Sequence, residues 1–135
     1  IPKSNKKNEV QYLFCSHKKI EYNEIKKILI KKLPKDDVWF RVEPVILHVA
    51  CKNINSAKKL LNLARNIGFR RSGIISVGKS KIIMELISTE KIDAVVSKNG
   101  KLLIDENYFK VLVEEGNKKL ERTWKKIDRF YDKLN

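Results

Sequence analysis

The hydrophobic positions of this chain follow two kinds of spacing, and each predicts a type of secondary structure. Alternating or continuous apolar runs bounded by polar turns predict seven strands, over residues 10–15, 38–42, 45–51, 74–77, 82–87, 92–96 and 102–104. Apolar residues three and four positions apart predict three helices, over residues 19–33, from residue 55 or 56 to residue 67, and from residue 106 to about residue 134. The run at 45–51 is almost wholly apolar, which predicts a central strand covered on both faces.

Turn residues between the strands indicate how the strands pair. Residues 78–81 (Gly-Lys-Ser-Lys) predict one β-hairpin with a positive φ at the glycine, and Asn99-Gly100 predicts a second hairpin. No Gly-x-Gly-x-x-Gly sequence follows a strand, so a Rossmann nucleotide site is not supported. The elements predict an α+β fold with a mixed or antiparallel sheet and about three helices, including a long C-terminal helix capped by Asp105. Because no linker or repeat interrupts residues 1–135, we expect a single domain.

The distribution of charge along the chain indicates that the protein binds an anionic partner. The chain carries 30 Lys and Arg against 16 Asp and Glu, a formal net charge of +14. Residues 44–84 contain eight basic residues and no acidic one, a bias that a generally lysine-rich composition would not produce. We therefore expect this segment to face phosphates. The long helix also carries a basic stripe, for which a solvated face is the simpler interpretation; the stripe consists of Lys118, Arg122, Lys125, Arg129 and Lys133.

The segment 68–74 (Gly-Phe-Arg-Arg-Ser-Gly-Ile), called the corner below, carries the most distinctive chemistry. It joins the second helix to a strand. Its glycines let the backbone turn and expose N–H groups, while Arg70, Arg71 and Ser72 add donors and positive charge. This composition is typical of an anion-binding turn, and also of a tight turn whose arginines are merely solvated. Ser88 and Thr89 end a hairpin strand, where their hydroxyls would meet a ligand held beside the corner.

Other reactive residue types are few. His48 lies within the apolar run 45–51, where a buried core histidine is the usual interpretation, yet its titration range suits it to accept a proton near neutral pH. His17 and His48 lack nearby ligands in sequence, so no metal site is predicted. Cys15 and Cys51 predict free, buried thiols and a reducing, cytoplasmic location. No apolar run approaches about 20 residues, so no membrane span is expected.

Several of these segments occur together in a particular order and spacing. They are Trp39, the segments 43–49 (Glu-Pro-Val-Ile-Leu-His-Val), 68–74 and 85–89 (Glu-Leu-Ile-Ser-Thr), and the end of the long helix at 129–131 (Arg-Phe-Tyr). Over about residues 38–134 the chain resembles the family of tRNA wybutosine-synthesis methyltransferases. The Ser-Ser-Cys-Ser-Gly type of segment found in that family is not matched by Ser4 or Ser16. We therefore expect the chain to lack part of the family's N-terminal segment.

The resemblance implies S-adenosylmethionine-dependent methyl transfer to a ring nitrogen of the tricyclic wybutosine-precursor guanosine beside the anticodon of tRNA(Phe). It also implies a fold that is not a Rossmann fold. The residues carried over as cofactor-binding are Arg70, Ser72, Gly73, Ser88 and Thr89. If the target nitrogen carries a proton, His48 is the candidate to accept it. Contacts to RNA phosphates are expected from Arg70, Arg71, Lys79 and Lys81.

Two other functions remain open on the sequence alone. The basic segment 44–84 would serve equally well in a non-catalytic RNA-binding module that needs no cofactor. A structural or interaction protein with a general lysine surplus is the third possibility, and the absence of acidic residues from 44–84 argues against it. Saturable binding of S-adenosylmethionine distinguishes the enzyme from both.

Overall fold

The computed structural model describes residues 12–29, 31 and 33–134. The secondary structure in this part of the chain comprises α1 (Tyr22–Leu29), β1 (Val38–Val42), β2 (Ile46–Cys51), α2 (Ile54–Ile67), β3 (Gly73–Val77), β4 (Ile82–Ile87), β5 (Ile92–Lys98), β6 (Lys101–Leu102) and α3 (Glu106–Leu134). The predicted α+β class and the long C-terminal helix are confirmed. None of the described helices combines the length and the apolar character needed to cross a bilayer.

The strands form two three-stranded sheets, ordered β1-β5-β6 and β2-β4-β3. In the second sheet both pairings are antiparallel, and β4 is the central strand. The prediction that residues 45–51 form a central strand covered on both faces is wrong. Only the residues on one face, Val45, Leu47, Val49 and Cys51, pack against the core, whereas the alternate positions Ile46, His48 and Ala50 are exposed.

The chain divides into two compact units. The first unit comprises the described residues up to Phe40 together with Ala94–Asn117. The second unit comprises Arg41–Asp93 together with the described residues from Lys118 onwards. The expectation of a single domain stays a prediction.

In the second unit, α2 and the end of α3 contribute to one hydrophobic core with the β2-β4-β3 sheet. Alternate residues of β4 are buried, as a strand with one covered face requires. The ring of Phe69 is fully buried and meets the ring of Phe130 edge-on, with 5.6 Å between centroids. The buried members of this core are Ala57, Ala64, Phe69, Ile82, Met84, Leu86 and Phe130. This core fixes the positions of the strand ends and of the corner.

In the first unit, aromatic contacts and a polar link hold α1 beside the first half of α3. The ring of Phe109 contacts the rings of Tyr22 and Phe40 at centroid distances of 6.1 and 6.0 Å. The side chain of Asn117 accepts from the Ile20 backbone N–H and donates to the Ile20 carbonyl. These bonds lie just before α1, which spans Tyr22–Leu29 and is shorter than the predicted helix over residues 19–33.

The turns agree with the sequence in part. Asn99 and Gly100 both have positive φ, 53° and 77°, and join the antiparallel strands β5 and β6, which confirms the predicted second hairpin. Asp105 Oδ1 accepts from the Tyr108 backbone N–H at 2.7 Å, which confirms the cap of α3. Gly78 has no positive φ; the Lys81 carbonyl oxygen approaches it so closely that a Cβ would lie 3.2 Å away.

Three other local predictions are wrong. The cap of α2 is Asn53, whose side chain accepts from the Ser56 backbone N–H, and not Asn55 or Ser56. Residues 12–15 form no strand, and residues 10 and 11 lie outside the described part of the chain. Cys15 is exposed instead of buried, although both cysteines are free as expected.

Candidate functional site

The corner begins where α2 ends, at Gly68. The φ of Gly68 is +132°, which favours glycine, and the N–H groups of Gly68 and Phe69 both donate to the Ala64 carbonyl. A Cβ on Gly68 would stand 2.5 Å from the Cε atom of Lys126. The corner is therefore anchored by helix capping and by close packing against α3. These N–H groups are used within the fold, contrary to the expectation that they face an anion.

Ser72 ties the far end of the corner to β4. Its hydroxyl donates to the Phe69 carbonyl at 2.6 Å and accepts from the Ile87 N–H at 3.0 Å. The guanidinium of Arg65 donates to the Ser72 carbonyl at 2.8 Å. With its only O–H donor used inside the fold, Ser72 shapes the corner.

Ser88 joins the ends of β2 and β4 in a similar way. It is fully buried; its hydroxyl accepts from the Val45 N–H at 3.1 Å, and its own N–H donates to the Val45 carbonyl at 3.1 Å. The pairing of the two strands thus continues one step past Ile46 and Ile87. We expected the hydroxyls of Ser72 and Ser88 to face a ligand, and the structure instead engages both within the fold. Direct cofactor binding by these serines stays a prediction.

The corner keeps two charged side chains for a ligand. Arg70 and Arg71 are exposed, and within the described part of the chain neither side chain forms a hydrogen bond or an ion pair. The Arg71 N–H donates to the Ile87 carbonyl, which places the corner beside the end of β4. Lys79 and Lys81 lie at the opposite end of β3, roughly 20 Å away at about 3.3 Å per residue. The structure does not bring these two lysines to the corner.

His48 is an exposed residue on the sheet face opposite the core, and not a buried core histidine. Its Nε2 lies 2.9 Å from Glu85 Oε2, and the two residues are direct cross-strand neighbours. Glu85 is also the register partner of Gly73 on β3. His48, Glu85 and Gly73 therefore form one row across the three strands, with about 10 Å from the first to the last at typical strand spacing. A Cβ on Gly73 would meet no atom within 4 Å, so the row ends in open space.

A second polar group lies where β4 leads into Thr89 and Glu90. Lys126 forms an ion pair with Glu90, and its Nζ also donates to Thr89 Oγ1 at 3.2 Å and to the Gly68 carbonyl at 3.3 Å. Burial alone would raise the pKa of Glu90, but hydrogen bonding to Lys126 and the charge of that lysine lower the pKa below its ordinary value. Glu90 is thus a carboxylate at neutral pH, and its charge balances that of Lys126.

A cavity of about 280 Å³ opens beside this ion pair, within the second unit. We call it the α3 cavity. Its lining consists of Thr89, Glu90, Lys119, Arg122, Lys125, Lys126 and Arg129. Three of these five cations, Arg122, Lys125 and Arg129, belong to the basic stripe predicted from the sequence. Lys119 and Lys126 do not belong to that stripe, because they lie about 80–100° around the helix from Lys118, between the stripe and the apolar face.

The family model for the methyltransferase TYW3 matches residues 1–135 of the chain. The chain belongs to this family. A Pyrococcus horikoshii protein named tRNA(Phe) 7-((3-amino-3-carboxypropyl)-4-demethylwyosine(37)-N(4))-methyltransferase 1 is 34% identical over the whole chain, which covers 68% of that protein. A Xenopus laevis protein named tRNA wybutosine-synthesizing protein 3 homolog is 36% identical over 96% of the chain, which covers 51% of that protein. The resemblance noted from the motifs is confirmed.

Solved structures of similar proteins show the same fold. The PH1069 protein from Pyrococcus horikoshii aligns with a TM-score of 0.87 and 32% identity, and the alignment covers 96% of the present chain and 65% of the PH1069 chain. A hypothetical protein from Aeropyrum pernix aligns with a TM-score of 0.76 and 25% identity, and that alignment covers 87% of the present chain and 70% of the Aeropyrum chain. The chain thus spans about two thirds of the length of these archaeal proteins.

For a TYW3-family chain, the arrangement offers two kinds of chemistry. The row of His48, Glu85 and Gly73 provides a proton acceptor and a carboxylate beside open space, with Arg70 and Arg71 nearby in the chain. The α3 cavity provides concentrated positive charge. Among residues 12–29, 31 and 33–134, no three His, Cys, Asp or Glu side chains gather as a metal site would require.

Proposed function

We propose that this chain carries out S-adenosylmethionine-dependent methyl transfer to a ring nitrogen of the wybutosine-precursor guanosine in tRNA(Phe). The match of the methyltransferase family model to all 135 residues is the observation that carries the proposal. Relatives named for N(4)-methylation of a demethylwyosine derivative in tRNA(Phe) support the substrate. Such an enzyme acts in the cytoplasm, where free cysteines such as Cys15 and Cys51 are stable.

The residues of the corner fit the cofactor. When bound, S-adenosylmethionine supplies an electrophilic methyl carbon on a positively charged sulfur, together with a carboxylate. The guanidinium of Arg70 is free to hold a carboxylate with paired hydrogen bonds. Thr89 uses its oxygen as an acceptor from Lys126, which leaves its hydroxyl proton available to a ligand. Ser72 and Ser88 act as positioning residues, since their bonds fix the backbone on either side.

Glu85 and Gly73 suit the reacting end of the site. A carboxylate stabilises nearby positive charge, and Glu85 lies beside Gly73 in the sheet register. Gly73 leaves space where a larger residue would project from the strand. The four cations of the α3 cavity that lack an ion-pair partner would repel a sulfonium. We therefore assign the cofactor to the corner and the sheet row, and not to that cavity.

His48 is suited to take the proton that a ring nitrogen loses on methylation. The carboxylate of Glu85 can only accept a hydrogen bond, so the hydrogen lies on His48 Nε2. The lone pair of a neutral His48 is then on Nδ1, which is the atom available to accept a proton. The imidazolium formed in this way keeps its bond to Glu85, and the negative charge of Glu85 stabilises it.

Methyl transfer to tRNA(Phe) tests the proposal directly. The protein is incubated with the cofactor and with tRNA(Phe) carrying the demethylwyosine derivative, and the nucleosides are analysed by mass spectrometry. We expect the tricyclic nucleoside to gain one methyl group, and unmodified tRNA(Phe) to gain none. Binding of the RNA without any methyl gain would contradict the proposal and favour the non-catalytic RNA-binding module.

The role of His48 has its own test. We expect His48→Gln to lower the rate of methyl transfer about 100-fold at neutral pH, in the range typical of general base catalysis. His17→Gln, which makes the same change at the other, exposed histidine, is the matched control. An unchanged rate in His48→Gln would show that the proton leaves by another route.

A further inference from the structure

We propose that the α3 cavity binds backbone phosphates of the RNA substrate. This inference rests on the proposed function for the identity of the RNA, and it deepens that function by placing the RNA contact. The sequence alone predicts RNA contacts at Arg70, Arg71, Lys79 and Lys81, and it favours a solvated basic face on α3. The structure gives that face a cavity with a surplus of positive charge, which favours binding of an anion.

The charged groups that line the cavity do not cancel. Glu90 is ionised and pairs with Lys126, so these two charges cancel. Within the described part of the chain, the other cationic side chains of the lining form no hydrogen bond or ion pair; they are Lys119, Arg122, Lys125 and Arg129. Four positive charges thus surround about 280 Å³ without an internal counterion. A cleft lined by charges of one sign attracts ligands of the opposite sign.

The extent of the cluster favours a polymer over a single small anion. Lys119 and Arg129 are ten residues apart on α3, which at 1.5 Å per residue is a distance of about 15 Å along the helix. Two of the four cations are arginines, whose planar donors match phosphate oxygens in pairs. A nucleic acid backbone presents successive phosphates along a comparable length.

The position of the cavity connects it to the corner. Lys126 lines the cavity and bonds to the Gly68 carbonyl, two residues before Arg70. Thr89 belongs to both groups, because it lines the cavity and follows the strand end that Ser88 holds. An RNA strand that lies along α3 therefore leads towards the residues assigned to the cofactor. Since phosphate contacts position a substrate without reading its bases, we expect the cavity to set RNA affinity and not base selection.

The salt dependence of RNA binding provides the test. The probe is the unmodified anticodon stem-loop of tRNA(Phe), and binding is followed by fluorescence anisotropy at several salt concentrations with no cofactor present. The variant carries Arg122→Gln, Lys125→Gln and Arg129→Gln. The matched control carries Lys27→Gln, Lys35→Gln and Lys101→Gln, three exposed cations that lie outside the cavity and outside segment 44–84.

We expect the variant to bind at least tenfold more weakly and to flatten the slope of log affinity against log salt by about 2, since each lost phosphate contact removes about 0.7. The control keeps the wild-type slope. Equal flattening in both proteins, or none in the variant, overturns the proposal. A fall in binding of inorganic pyrophosphate without a fall in RNA binding also overturns it, because the cavity would then take a small anion. If the triple variant is unfolded by circular dichroism, Arg122→Gln alone must lower the slope by about 0.7.

Methyl transfer by the same proteins separates this inference from the proposed function. If the wild-type protein transfers no methyl group but the variant flattens the salt slope, the proposed function fails and the phosphate site stands. If the wild-type protein is active, we expect the variant to raise KM for tRNA at least tenfold with little change in kcat. An unchanged KM in the active variant overturns the phosphate site and leaves the enzyme assignment intact.

Discussion

Removal of the Lys126 ammonium group should destabilise the fold far more than removal of its neighbour on the same helix. Glu90 is only 3% exposed, and Lys126 is its ion-pair partner. Lys126→Met keeps most of the aliphatic packing and leaves the Glu90 carboxylate buried without a cation. Breaking a buried pair in this way costs about 3–5 kcal/mol of the free energy of unfolding. Lys125→Met removes the same charge from an exposed position, where the expected change is within about 0.5 kcal/mol.

The loss of stability in Lys126→Met should depend on pH, because Glu90 titrates differently in the two proteins. In the wild type, the pKa of folded Glu90 is lowered, so its contribution to stability is present above the unfolded pKa and is lost as the pH falls through the folded pKa. In Lys126→Met only the effect of burial remains, which raises the pKa of Glu90. The difference in free energy of unfolding between the wild type and Lys126→Met therefore decreases as the pH falls from 7 towards about 4.

Urea unfolding at pH 7 and about pH 4 measures both effects. We expect the difference in free energy of unfolding between the wild type and Lys126→Met to shrink on acidification. Glu90→Gln combined with Lys126→Met should be more stable than Lys126→Met alone at pH 7, because no buried charge remains. A difference below about 1 kcal/mol at pH 7, or one that does not change with pH, would refute the reasoning.

Three further variants test single features of the corner and its supports by thermal unfolding. Gly68→Ala should lower the free energy of unfolding by about 1–3 kcal/mol, because a φ of +132° disfavours a side chain and a Cβ would lie 2.5 Å from a carbon of Lys126. Gly73→Ala is the control, since a Cβ there meets no atom within 4 Å. Equal losses of stability in the two variants would contradict this prediction. Ser88→Ala should lower the free energy of unfolding by about 1–3 kcal/mol, because it leaves the Val45 N–H without an acceptor. An unchanged unfolding midpoint would show that the Ser88 hydroxyl does not support the fold and would favour a role in ligand binding. Asn53→Ala should cost about 1 kcal/mol through loss of the α2 cap, and a change near zero would mean that the helix is capped otherwise.

Features that depend on neighbours in the sequence were predictable. The Asn99-Gly100 hairpin and the Asp105 cap were found because turn and cap residues act through local backbone conformation. The strands from β1 to β5 were located because apolar runs bounded by turns identify strands whatever they pair with. The family was recognisable from the order of its short motifs.

Features that depend on contacts between distant residues were not predictable. The order β2-β4-β3 places β2 at an edge of its sheet, and only one face of β2 packs against the core. Nothing within the apolar run 45–51 shows either feature. Serine is a residue type that often binds ligands, but the hydroxyls of Ser72 and Ser88 bond to backbone groups that only the folded chain brings near. The pairing of Lys126 with Glu90 spans two elements, so neither charge alone revealed it.

The proposal that this chain is a methyltransferase with its cofactor at the corner is tested most directly by a calorimetric titration with S-adenosylmethionine. We predict saturable binding by the wild-type protein. Arg70→Gln should weaken it about tenfold or more through loss of a charge-assisted bond to the carboxylate, whereas Lys52→Gln should leave it unchanged. Absence of saturable binding, or equal affinity for the wild type and Arg70→Gln, would contradict the account.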